Sequence, residues 1–104
     1  METAEPIEGG IYVTEDVTSE VPGYRLMKIL KVEADAVHVR LYSDDFQTKP
    51  TGEPTHMTVG IGHMPISREQ FWRWEPEFIE VSSVSAEELE GYEIWRDADG
   101  GIFG

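Results

Sequence analysis

Cysteine is absent from the 104 residues, so neither a disulfide framework nor a thiolate-held metal can form. Bases are scarce: eight Lys and Arg stand against 21 Asp and Glu, a formal charge of −13. Affinity for phosphate comes from neutralising bases, so this field is expected to repel nucleic acid. No apolar run approaches the roughly 20 residues of a membrane span. The opening Met1-Glu2-Thr3-Ala4-Glu5-Pro6 has neither the basic start nor the apolar core of a secretory signal. A soluble, cytoplasmic protein without membrane contact is therefore the expectation. Catalytic signatures are missing too. No Gly-x-Ser-x-Gly elbow is present, and no Lys-Ser or Lys-Thr follows the Gly60-x-Gly62 pair to make a phosphate loop.

What the chain does have is enough apolar mass for a core. At 39% hydrophobic residues it is not the composition of a disordered segment. A chain of this length buries roughly two-thirds of its unfolded surface as one domain. We expect a single domain over residues 1–104 with a frayed terminus at about residues 1–9. The organising stretch is residues 23–46, GYRLMKILKVEADAVHVRLYSDDF. It reads as two strands joined by a tight turn at Glu33-Ala34-Asp35-Ala36. Pairing Val32 with Val37 sets Leu30 opposite Val39, Lys28 opposite Leu41 and Met27 opposite Tyr42, and opposite residues share a face. One face then holds Leu26, Leu30, Val32, Val37, Val39 and Leu41. The other mixes Met27, Ile29 and Tyr42 with Lys31, His38 and Arg40. The expected core is the first face.

A strand entered through Gly23-Tyr24-Arg25, a tight turn, and Val37-x-Val39-x-Leu41-Tyr42 running into acids resemble the centre of a Tudor-type small β-barrel. The resemblance covers about a quarter of the chain. In such modules it implies an aromatic cage that reads a methylated basic residue through cation–π attraction. Tyr42 and Phe46 are the aromatics near that place. The barrel is carried over, and the ligand is not.

Around the hairpin, Ile11-Tyr12-Val13 is a short β-branched and aromatic strand, followed by a loop closing on the Pro22-Gly23 turn. Residues 47–56 carry Pro50, Gly52 and Pro54 and are irregular. Residues 57–61 alternate as a third main strand. Ser67-Arg68-Glu69-Gln70 and Ser85-Ala86-Glu87-Glu88 both have capping-box spacing. Two short helices are expected, the first ending before Pro76 and the second at Gly91, a natural C′ residue. Residues 77–84 and 92–95 read as further strands, the latter turning at Asp99-Gly100 into Ile102-Phe103. The fold class is mainly β: a small antiparallel barrel or strongly bent sheet with two short helices.

His38, His56 and His63 lack ligand spacing, and Asp97-Ala98-Asp99-Gly100 lacks both ends of a calcium loop, so neither metal nor cofactor is expected. The charge is uneven. Residues 75–99 hold nine acids against Arg96 alone, next to the aromatic run Phe71-Trp72-Arg73-Trp74. A non-enzymatic module is the leading expectation, an immunity or inhibitor protein of bacterial type that neutralises a basic partner such as a toxin. Its candidate surface is Glu75, Glu77, Glu87, Glu88 and Glu90 with Trp72 or Trp74 as the apolar anchor. The alternative is a barrel binding a peptide or modified side chain in an aromatic pocket of Tyr42, Phe46 and a tryptophan. A small enzyme is the third reading.

Overall fold

The computed structural model describes residues 5–16, 23–52 and 57–102. In chain order the elements are β1 (Gly10–Asp16), β2 (Gly23–Val32), β3 (Val37–Tyr42), β4 (Val59–Ile66), α1 (Arg68–Arg73), β5 (Glu77–Val81) and α2 (Ala86–Asp97). The strands form one antiparallel sheet in the order β4-β3-β2-β1-β5. The protein is therefore mainly β with two helices, as expected. The sheet is open: among the described residues β4 and β5 are unjoined edges, and no barrel closes. The Pro22 turn, His56 and Phe103 lie outside the described residues, as do residues 1–4 of the terminus expected to fray. Residues 5–9 are tied down, with the Gly9 amide donating to the Ile29 carbonyl at 2.7 Å.

The hairpin of β2 and β3 forms at the expected place, but its register needs correction. Val32 does pair with Val37, and Lys31 with His38. The register then shifts, so that Ile29 faces Val39, Lys28 faces Arg40 and Met27 faces Leu41. Leu30 is the extra residue of a bulge, and one extra residue reverses which face each later side chain takes. Met27 and Ile29 thus join Val37, Val39 and Leu41, while Leu26 passes to the other side.

Both faces of the sheet are covered, by different elements. On the first, Tyr12, Met27, Ile29, Val37, Val39 and Ile66 pack around Phe71 of α1. Phe71 is fully buried and meets Tyr12 edge-on at 5.3 Å between centroids. Burying such a side chain contributes about 2–3 kcal/mol. On the second face, Ile11, Val13, Leu26 and Tyr42 form an apolar cluster flanked by Tyr24, Phe46, Met57 and Ile79. Beside it lie Lys28, His38 and Arg40, under α2.

Both helices begin where their caps place them. The Ser67 hydroxyl accepts from the Gln70 amide at 3.0 Å, and Ser85 with Glu88 makes a complete reciprocal box. Helix α1 ends at Arg73 with Trp74 as its C-cap, and Glu75 takes a left-handed conformation (φ 53) before Pro76. Helix α2 does not stop at Gly91. It continues to Asp97, and residues 92–95, expected as a strand, lie in its C-terminal half instead. Gly91 is there for space, since a β-carbon would lie 2.7 Å from the His63 β-carbon. The third main strand also differs: β4 starts at Val59 and runs through both glycines to Ile66.

Candidate functional site

Helix α2 is held on the sheet by two polar contacts that the hairpin supplies. Lys28 is 3% exposed, and its ammonium donates to the Ser83 carbonyl at 2.6 Å and to Glu88 Oε1 at 3.1 Å. Arg40 approaches Glu88 Oε2 at 3.5 Å. Burial alone would raise the Glu88 carboxyl. The Ser85 amide and the Lys28 charge outweigh that and hold it below the ordinary carboxylate range. An ion pair this enclosed makes the loss of either partner costly, because the survivor is left buried and uncompensated. Glu88 thus closes the helix cap and pins the helix with one carboxylate.

The second contact is a relay from the β2–β3 turn. Glu33 Oε1 lies 2.7 Å from Nε2 of the fully buried His38, and His38 Nδ1 lies 2.8 Å from Nε2 of His63 on β4. The Tyr92 hydroxyl of α2 donates to the other Glu33 oxygen at 3.0 Å. Trp95 packs its ring edge-on to His38 at 4.5 Å. The hydrogen bond from His38 keeps the Glu33 carboxyl below its ordinary value. A carboxylate only accepts, so His38 Nε2 carries a proton. A single proton then fits between the two facing imidazole nitrogens. Burial, and then the neighbouring charge of His38, lower His63 to about 4, so its ring is neutral near pH 7. Among the described residues no group of three potential ligands could hold a metal. The relay orients the helix.

These contacts bury one stripe of α2 and leave the opposite one in solvent. Glu88, Tyr92 and Trp95 are spaced four and three apart and face the sheet. Glu87, Glu90, Ile94 and Asp97, at spacings of three, four and three, share the outer face. All four are exposed, and Ile94 is 64% exposed. Glu93 flanks the stripe. Ile94, Glu93 and Asp97 were not among the residues expected from sequence, although their helical spacing was there to be read.

The other expected residues are dispersed. Glu87 and Glu90 lie on the outer face of α2, and Glu88 faces inward. Trp72 and Trp74 sit half-buried against the first face of the sheet, on the side opposite α2, so they cannot anchor the same surface. Glu77 is exposed on β5 and pairs with Lys49 at 3.0 Å. Trp74 and Glu75 come together around a cleft of about 420 Å³ floored by Met27 and Leu41; Tyr42 borders it too, but its ring is buried in the cluster on the second face. Phe46 is not part of the cleft. That side chain packs on the second face, and its backbone bridges Tyr24.

No protein-family model, curated protein or solved structure matches the chain.

Proposed function

We propose that the protein is a non-enzymatic acidic binding module, of immunity or inhibitor type, whose α2 outer face meets a basic protein. The observation that carries this reading is Ile94, 64% exposed within a stripe of Glu87, Glu90 and Asp97. An apolar centre within a charged rim is the anatomy of a protein interface. The net charge of −13 would draw a basic partner in and speed its association. A toxin with a positive active site is such a partner.

The test is kinetic, on a partner recovered by co-purification. Replacing Glu87, Glu90 and Glu93 by glutamine slows association, most at low salt where screening is weakest. Ile94→Ala instead speeds dissociation by about fivefold to tenfold, as loss of a buried anchor does. Association indifferent to both salt and the triple substitution reduces the acidic face to a solubility device.

A second reading has its own support. The cleft beside Trp74, over Met27 and Leu41, is of a size for a small ligand or a peptide side chain. Trp74→Ala abolishing binding of a ligand that the α2 substitutions leave untouched would favour it.

A further inference from the structure

Strand β5 ends the sheet, and among the described residues only β1 pairs with it. An edge strand turns every second amide and carbonyl outward, unpaired. Folded proteins commonly blunt such edges with lysine, proline or a cover. The run Glu77-Phe78-Ile79-Glu80-Val81 contains neither residue. A register shift at Ile11 and Tyr12 makes Ile79 the extra residue, so that Phe78 opposes Tyr12 and Val81 opposes Gly10. Both apolar side chains therefore point to the same face of the sheet. Ile7 lies over Gly10 on that face. Ile7, Phe78 and Val81 are 41%, 45% and 60% exposed, an apolar strip along an edge that no further described strand pairs.

The charge on the edge selects its occupant. A second copy pairing antiparallel about Ile79 would set Glu77 opposite Val81 and Phe78 opposite Glu80. Four carboxylates would crowd one ladder between chains of −13 each, which like-charge repulsion disfavours. The opposite edge, β4, holds no acid, and its glycines, Pro65 and two register shifts bend it. From these observations we infer that β5 takes up an extended basic segment of the partner as a sixth strand. Lysines or arginines of that segment lie beside Glu77 and Glu80, and its apolar residues lie on Phe78 and Val81. Lys49 already shows how a base meets this edge, reaching Glu77 at 3.0 Å. That pair is half-exposed, so it is weak enough to yield. The inference rests on the basic-partner reading and adds to it a main-chain ladder, with pockets for alternate side chains.

The experiment uses the full chain and an octapeptide of four Lys-Val repeats. A second peptide carries N-methyl groups on the alternate amides that would pair, with charge and side chains unchanged. Amide NMR of the labelled protein maps both. We expect shifts and slowed hydrogen exchange over Glu77–Val81, and binding at least about tenfold weaker for the N-methylated peptide, the loss from about two hydrogen bonds. Val81→Lys should weaken the parent peptide similarly. Equal affinity of the two peptides, with shifts confined to α2, overturns the strand addition and leaves the acidic-face reading standing. Shifts in neither element overturn both.

Discussion

Acidifying the protein from about pH 7 to about pH 4.5 should weaken the fold through His63, by an amount that follows from its surroundings. The ring is lowered from 6.5 to about 4, so between those values the unfolded chain binds a proton that the folded chain refuses. Stability therefore rises with pH across this window and is lost as pH falls through it. Each unit is worth about 1.4 kcal/mol, and with a discount for the half-exposed ring the loss is about 2 kcal/mol. Burial of the ring is the larger cause, and the neighbouring His38 adds to it. His38 Nδ1 and His63 Nε2 stand 2.8 Å apart, and two cationic rings would place two protons in that gap. Glu33, the carboxylate at the other end of the relay, is already engaged by His38 and Tyr92. Urea denaturation of the parent and of His63→Gln, at both pH values, isolates the effect from the acids common to both. The parent should lose about 2 kcal/mol more than the variant. Parallel pH profiles would refute the reasoning.

Three substitutions test the packing. Gly91→Ala, a favourable change in an ordinary helix, should instead destabilise by about 1–3 kcal/mol, because the new methyl meets His63; a gain in thermal midpoint would mean that α2 sits further from β4. Glu75→Gly should stabilise by up to about 1 kcal/mol, since its φ of 53 suits glycine, and a loss in chemical denaturation would contradict this. Leu30→Ala should cost about 2–5 kcal/mol although Leu30 is a bulge residue, for it is 2% exposed. A cost below about 1 kcal/mol would match a surface site instead.

Much of the fold was legible locally. The serine caps named both helix starts, the hairpin turn set the Val32–Val37 pair, and the strand expected over residues 77–84 formed over Glu77–Val81. Local signals have local reach, and they failed where distant parts compete. Nothing beside Leu30 announces a bulge, which depends on covering both faces of the hairpin at once. Lys31, His38 and Arg40 read as part of a mixed face and Lys28 as opposite Leu41, because Glu88, which pairs with Lys28 and Arg40, lies far along the chain. Gly91 looked like a helix end, and Tyr92-Glu93-Ile94-Trp95 like a strand, because alternation over four residues cannot be told from half a helical stripe. Packing of Tyr92 and Trp95 on the histidines resolved that ambiguity.

By itself the sequence determined the class of this protein: an acidic, cysteine-free, mainly β chain with helices at two capped serines, since composition, caps and turns act through neighbouring residues. Tertiary structure alone decided which face each strand buries, how far α2 runs and which acids remain in solvent. Those outcomes depend on where a helix lands on a sheet, and its buried stripe and its exposed one are fixed together when it does.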